Sequence, residues 1–368
     1  MVKVLQIGMT RNHGGLETYL LQQWRHLDAH KVHYDFVNIT GEYTIVGQKE
    51  IEQSGSRIYS VCSRHLHPLR HYWQWFKLLQ QHAKEYKAIV LNTNSLEYIY
   101  PLFLAKWFHI PMRIIHSHNA GFENQMGLGR RLLVRFNRML MKRSATDYFA
   151  CSKQAGRWMF GLQQTYHVIH NAIDVEEVRY KSEVRQKKRN ELGLGNKFIL
   201  GHIGRFSYQK NHEFLIDIFA KVYERDNSAA LLLVGGAVGD DRFLQKAKQQ
   251  VKKLGLEQAV FFLGERDDVP ELLQAMDCFL LPSRFEGLGL VGIESQAAGL
   301  PTFISDTITQ EIKITDSAYF LPLDQPELWA EAILKHKKDS RKDTQKEVRK
   351  SGYDICYEVK KIEKYYLC

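Results

Sequence analysis

The sequence predicts an α/β protein of two doubly wound, Rossmann-like units facing each other across a cleft. Three observations carry this. In the first half, short β-branched runs alternate with amphipathic stretches, the pattern of parallel βαβ units covered on both faces. A charged stretch at residues 175–197 offers no β-rich run and interrupts the alternation. The alternation then restarts in the second half. A length of 368 residues suits two domains at roughly 100–200 residues each.

Strands are expected at residues 2–9, 34–39, 57–61, 88–93, 112–118, 147–152 and 167–169. Helical periodicity fills the gaps, for example at 16–27 and 69–82. Residues 175–197, with Arg185-Gln186-Lys187-Lys188-Arg189, read as a linker with a short helix. The second set of strands is 198–204, 229–235, 259–264, 278–282 and 301–305, separated by helical patterns such as 213–225 and 242–254. The units therefore divide as 1–174 and 175–351. Residues 328–338 and 351–366 are helical and polar and pack outside the sheets.

Composition excludes several classes. No run of about 18 apolar residues exists, so no membrane-spanning helix is expected. Residues 1–8 read as a buried strand and lack the pattern of a secretory leader. The five cysteines are odd in number and scattered without zinc spacing, which suits a reduced, cytoplasmic chain. The charge is uneven. Residues 1–175 hold 21 Lys and Arg against 11 Asp and Glu, so they carry the whole net charge of +10. This half is expected to face something anionic, such as a phospholipid surface, a lipid-linked phosphate or nucleic acid.

The richest segment runs from Cys278 through Glu286-Gly287-Leu288-Gly289-Leu290-Val291-Gly292-Ile293-Glu294. A buried strand enters a glycine loop and then a helix, whose free N–H groups favour an anion such as a diphosphate. Glu286 lies in the loop and Glu294 in the first turns of the helix; carboxylates there suit sugar and ribose hydroxyls. The alternative is a pair of surface glutamates beside an ordinary turn.

The same residues, 287–292, spell GxGxxG, and Asp306 follows the next strand, so an NAD-dependent oxidoreductase is a competing reading. Against it, Pro282-Ser283-Arg284-Phe285-Glu286 intervene before the first glycine, and the unit sits late in its domain. A second cluster, Gly204-Arg205 to Lys210, also leaves a strand. Two cations at such an end can clamp a diphosphate and stabilise a charged leaving group. In the first half, Gly14-Gly15-x-Glu17 opens a helix after strand one, either as a ligand-approach loop or a plain turn. His116 and His118 end strand five and face the cleft, although a lone histidine is usually structural.

Taken in order, these pieces resemble the retaining glycosyltransferases of family 4, which have the GT-B fold. The resemblance rests on Gly14-Gly15-x-Glu17, His118, Ala150-Cys151-Ser152, His170-Asn171-Ala172-Ile173-Asp174, Gly204-Arg205-x4-Lys210, Leu233-Val234-Gly235, and Glu286-x7-Glu294 followed by Ala298-Gly299-Leu300-Pro301. His116-Ser117-His118-Asn119 and the 304–309 segment are most similar to the bacterial capsular and exopolysaccharide branch.

The resemblance implies a first domain on the acceptor side and a second that binds the nucleotide-sugar. The tail at 352–368 is similar to the family's final helix, which crosses back to the first domain. Arg205 and Lys210 match the pair holding the donor diphosphate, Glu294 the ribose ligand, and Glu286 the carboxylate near the transferred sugar. His118 matches the histidine contacting the donor sugar, with His116 less favoured, and Gly15 the loop approaching phosphate or sugar. Gly287, Leu288, Gly289 and Leu290 fall in the donor-binding loop. One departure stands out: Thr307-Ile308-Thr309-Gln310-Glu311 replaces the glycine pair that many relatives place before a glutamate.

The implied reaction transfers a sugar, from a UDP-sugar, to a sugar or polyprenyl-diphosphate-linked acceptor in polysaccharide biosynthesis. No metal or other cofactor is expected, because cations and a helix terminus can meet the diphosphate. The acidic pairs Asp240-Asp241 and Asp267-Asp268 read as surface turns. No nucleic-acid partner is expected. A non-catalytic partner subunit of the same fold is a third reading; it would have lost Arg205, Lys210 or a glutamate, and none is lost.

Two basic segments could meet the acceptor's membrane. As a helix, residues 128–143 place Leu132, Phe136, Met139 and Leu140 on one face and Arg131, Arg135, Arg138 and Lys142 on the other. Residues 69–77 add Trp73 and Trp75. The apolar face either packs on its own sheet or touches an anionic bilayer, which would make the protein peripheral on the inner face of the cell membrane.

Overall fold

The computed structural model describes the chain except residues 12–13, 42–43, 122–126 and 238–239. It divides into two compact units, residues 1–172 with 355–368, and residues 173–354.

The first unit holds β1 (Val2–Ile7), β2 (Val32–Asn38), β3 (Ile58–Ser60), β4 (Ala88–Thr93), β5 (Met112–Ser117), β6 (Asp147–Ala150) and β7 (His167–Val168). All pair in parallel, in the order β3-β2-β1-β4-β5-β6-β7. Val4, Leu5 and Ile7 of β1 are all fully buried, because a strand covered on both faces needs a near-continuous apolar run. The chain winds outward from β1 to β3, then returns to place β4 on the other side of β1. Right-handed crossovers put the helices of these two directions on opposite faces.

On one face, the helix Gly15–His26 sends Tyr19, Leu20 and Leu21 into a core with Val4, Tyr34 and Phe36. The C-terminal helix Ile355–Leu367 packs beside it and adds Ile362 and Tyr366 to the same core. Glu358 accepts from the His170 N–H at 3.0 Å, and Tyr365 donates to Asp147 at 2.5 Å, which ties this helix to β6 and to the segment after β7. The other face carries Pro68–His82, Tyr100–Trp107 and Leu128–Ser144, each beside the next. The last of these buries Val134, Asn137, Met141 and Ser144. Its Leu132, Phe136 and Met139 are exposed, so the stripe with the larger apolar side chains does not pack on the sheet.

The second unit holds β8 (Phe198–Ile203), β9 (Ala229–Val234), β10 (Val260–Gly264), β11 (Cys278–Leu281), β12 (Thr302–Ser305) and β13 (Ala318–Leu321). They are parallel in the order β10-β9-β8-β11-β12-β13, the order of a nucleotide-binding doubly wound sheet. The expected strands omit β13. It has four residues, too few to show a period, and its Tyr319 and Phe320 are only half-buried at the sheet edge.

Residues 175–197 also differ from the linker expectation. They form helices Val175–Val178 and Ser182–Glu191, and the second is built into the unit. Arg185 donates to the carbonyls of Gln274 and Met276 and pairs with Asp277, which Arg189 also contacts at 3.3 Å. Charge at these positions satisfies the carbonyl end of the helix Val269–Ala275 rather than meeting solvent. The polar region after β13 likewise contributes a buried stripe: Trp329, Ala330 and Ile333 of the helix Pro326–Lys335 enter the core.

Candidate active site

In the second unit, β8 and β11 are neighbours, with Leu200 opposite Cys278. They are the first and fourth strands of their sheet, so the winding direction switches between them, and ligands in such sheets bind where the loops leave that point. Both segments singled out in this half, 204–210 and 283–289, leave these two strand ends.

The backbones there approach closely. A Cβ on Gly204 would lie 3.0 Å from the Lys210 side chain, and one on Gly235, at φ +137°, would lie 2.3 Å from the Gly204 carbonyl oxygen. Lys210 is thus folded back over Gly204, and its Nζ donates to Glu286 Oε1 at 2.7 Å. Gln209 Nε2 donates to the other oxygen, Glu286 Oε2, at 2.9 Å, and to the Phe285 carbonyl at 3.0 Å. The Arg284 N–H returns a bond to the Gln209 carbonyl at 2.8 Å. The two loops are therefore locked together, with a buried carboxylate satisfied on both oxygens. Sequence reasoning missed Gln209; the signal was a polar side chain beside Lys210 in the same strand-end loop.

Arg205 is different. It is half-buried and makes no ion pair or hydrogen bond with any described residue. It is a cation held at the switch point with its donors unspent. Glu294 lies on the helix Leu290–Ala297. Burial pushes its carboxyl up to about 7, repulsion from Glu177 adds to this, and Lys210 opposes it.

The glycine loop has its own logic. Gly289 caps that helix at φ +87°, a left-handed conformation that suits glycine. A Cβ on Gly292 would lie 2.6 Å from Ile312 Cδ1, so this glycine admits close packing. The side chains of Leu288 and Leu290 are buried, while the N–H groups of Leu288, Gly289 and Leu290 find no acceptor among the described residues. Donors without partners at a helix start attract an anion. The Thr307 hydroxyl donates to the Ser283 carbonyl at 3.2 Å, so the segment that departs from the glycine pair braces the loop from β12 against the loop from β11. Nearby, Ser283 Oγ, His202 Nε2 and Asn211 Oδ1 are buried without a partner.

The GxGxxG at 287–292 follows β11, the fourth strand of its sheet. A dinucleotide fingerprint belongs to the first strand-to-helix turn, which here is 204–210. The geometry therefore does not support the oxidoreductase reading.

The remaining candidates lie in the first unit. His118 follows β5, and its Nε2 is 3.0 Å from Asn92 Oδ1 at the end of β4. Asn92 Nδ2 donates to Gln6 Oε1 and to the Ile7 carbonyl, which fixes Oδ1 as an acceptor. His118 Nε2 must then carry the proton, leaving Nδ1 as a bare acceptor, buried and unpartnered. Burial holds the ring at about 3, so it is neutral near pH 7. It can accept from a hydroxyl but cannot supply a positive charge. His116 stacks against it at 4.0 Å, is buried deeper and contacts the Tyr19 hydroxyl at 3.4 Å. Sequence reasoning missed Asn92, the residue that sets the tautomer. Gly15 is the first residue of its helix, and a Cβ there would meet nothing within 4 Å, so the local packing does not demand glycine.

Metal-ligand clusters of His, Cys, Asp and Glu do not occur among the described residues. Asp268 is bound by Arg266 at 2.6 Å and by Lys188 at 2.7 Å, and Asp240 pairs with Arg242.

With the geometry in view, known proteins place the chain. Residues 14–172 match the "Glycosyl transferase 4-like domain" and residues 184–354 match "Glycosyl transferases group 1". The protein is a glycosyltransferase. It belongs to family 4, with the GT-B fold. It is 28% identical over 340 residues to EpsF of Bacillus subtilis (strain 168), covering 90% of this chain and 87% of that one; EpsF's own assignment as a glycosyltransferase is provisional. It is 27% identical over 241 residues, 63% of this chain and 60% of the other, to the Escherichia coli UDP-Gal:alpha-D-GlcNAc-diphosphoundecaprenol alpha-1,3-galactosyltransferase. Among solved structures, Anabaena HepE in complex with UDP-glucose superposes with a TM-score of 0.78 at 21% identity, covering 100% of this chain and 98% of that one. At that identity the likeness is one of fold.

Proposed function

We propose that the chain is a retaining hexosyltransferase. It takes a sugar from a UDP-sugar and passes it to a sugar or polyprenyl-diphosphate-linked acceptor in capsular or exopolysaccharide assembly, without a metal. The observation that carries the donor assignment is Arg205, a cation with no partner among the described residues, beside the Lys210–Glu286 pair at the switch point of the second sheet. With the open N–H groups at 288–290 it forms a site for a diphosphate. The donor and acceptor classes are supported by the UDP-glucose complex of HepE and the name of the Escherichia coli relative.

Given retention, what Glu286 lacks favours attack on the leaving-group side over a covalent intermediate. Both of its oxygens are engaged, by Lys210 and Gln209, so it is a poor nucleophile. In the proposed step the acceptor hydroxyl attacks the anomeric carbon on the leaving-group side. The bond from that carbon to the phosphate oxygen breaks, and the hydroxyl proton passes to the departing diphosphate. Arg205 and Lys210 stabilise the charge that develops there. Glu294 accepts from ribose hydroxyls, and His118 Nδ1 from a hydroxyl of the donor sugar.

A screen of nucleotide-sugars by thermal stabilisation, followed by slow donor hydrolysis and NMR of the released anomer, tests this reading. Stabilisation by a UDP-sugar and an anomer of unchanged configuration support it. Inversion, or no nucleotide-sugar binding, contradicts it. Donor binding without any turnover would favour the non-catalytic subunit.

A further inference from the structure

The helix Leu128–Ser144 has three faces, and only one is used by the fold. Val134, Asn137, Met141 and Ser144 pack inward. At 3.6 residues per turn, Leu132 and Met139 project from roughly the opposite side of the helix. Leu132 is 59% exposed, Phe136 53% and Met139 49%. Between the inward and outward rows runs a row of cations. Arg131, Arg135 and Lys142 there are exposed, and Arg143 is exposed on the outward row, whereas Arg138 is partly turned in, with Nη2 3.5 Å from the Trp158 carbonyl.

The surface extends beyond this helix. Its neighbour Tyr100–Trp107 exposes Phe103 and Trp107, and the next, Pro68–His82, exposes Trp73. Tyr72 and Tyr100 meet edge-on at 4.6 Å, which joins the last two helices. These three helices contain no aspartate or glutamate, but nine lysines and arginines. Arg130 is paired with Glu97; the other cations named on the Leu128–Ser144 helix have no acid beside them on their own elements.

We infer that this face docks the protein on an anionic lipid bilayer. An outward apolar row flanked by cations is the arrangement of a helix lying in the membrane interface, and exposed tryptophans suit the headgroup level. Charge decides between a bilayer and a second copy of the chain. Two such faces brought together would oppose Arg131, Arg135, Lys142 and Arg143 to their own copies, while an anionic surface complements all four. The inference does not depend on the proposed transfer reaction.

Co-sedimentation with vesicles tests it, using phosphatidylcholine with and without phosphatidylglycerol. Wild type is expected to pellet with the anionic vesicles at low salt, to release as salt rises, and to leave neutral vesicles largely unbound. The variant Arg131→Gln, Arg135→Gln, Lys142→Gln, Arg143→Gln is expected to lose affinity by about tenfold or more. The variant Leu132→Ser, Phe136→Ser, Met139→Ser should lose binding at every salt concentration. Both sets of positions are exposed, so melting temperatures should hold, and donor hydrolysis measured alone should be unchanged. Failure of wild type to bind anionic vesicles, or unchanged binding in either variant, overturns the inference. So does a dimer in sedimentation velocity that the serine variant dissolves, since the face would then be an interface between copies.

Discussion

Lys210 Nζ lies 2.7 Å from Glu286 Oε1, joining the loops that leave the first and fourth strands of the second sheet. The lysine is therefore both a structural partner of a buried carboxylate and a cation at the proposed diphosphate site. Arg205, a few residues earlier, has no such partner, and the two cations should separate in experiment.

Lys210→Ala leaves Glu286 with Gln209 alone and is expected to cost about 1–3 kcal/mol of stability as well as donor affinity. Arg205→Ala should leave the melting temperature unchanged and weaken nucleoside diphosphate binding by on the order of tenfold or more. Thermal denaturation and calorimetric titration on the two variants check this. Equal stability losses would mean that Arg205 is not a free cation.

Glu294 makes the site sensitive to pH. Its carboxyl is raised to about 7 in the folded protein without ligand, so the folded state holds a proton that the unfolded state gives up earlier. Its contribution is most favourable below the ordinary carboxylate range and is lost as pH rises toward and through 7. Glu294→Gln should therefore raise stability relative to wild type at pH 8 but not at pH 4. Ribose hydroxyls donating to this carboxylate would favour its charged form, so binding of an intact UDP-sugar should tighten between pH 6 and pH 8, and Glu294→Gln should remove that slope. A slope unaltered in the variant contradicts the assignment.

His118 is held neutral by burial, at about 3, and presents Nδ1 as an acceptor. His118→Ala is expected to lower kcat/KM for the donor by about tenfold or more with little change in melting temperature. The wild-type pH profile should show no step from this ring between pH 5 and 8. A variant with wild-type kcat/KM removes His118 from the site.

The alternation of strands and helices made the two parallel sheets legible, since strands buried on both faces must be apolar nearly throughout, as β9 is and as β1 is apart from Lys3 and Gln6. The glycine loop was legible for the same kind of reason: Gly289 answers to a left-handed φ and Gly292 to Ile312. Other features were hidden because residue type does not reveal what a side chain meets. Arg185 and Arg189 read as solvated linker charge, yet they satisfy backbone carbonyls and Asp277. In Leu128–Ser144 the periodicity marked an apolar stripe but could not say that the smaller stripe, Val134 to Ser144, faces the protein. Lys210 and Glu286 were each visible; their contact, and the part of Gln209 in it, needed the sheet order that brings β8 beside β11.

Independence of metal is a further expectation. Donor hydrolysis should survive EDTA, because Arg205, Lys210 and the N–H groups at 288–290 take the diphosphate charge. Complete loss on chelation, restored by manganese or magnesium, would contradict it.

The central claim is that the second unit holds the donor through its diphosphate. Calorimetric titration of UDP and of uridine in EDTA, on wild type and on Arg205→Ala, tests it most directly. The account predicts that UDP binds wild type at least about a hundredfold more tightly than uridine does, and that Arg205→Ala removes much of that difference. Equal affinities for UDP and uridine, or a difference that survives intact in Arg205→Ala, would contradict it.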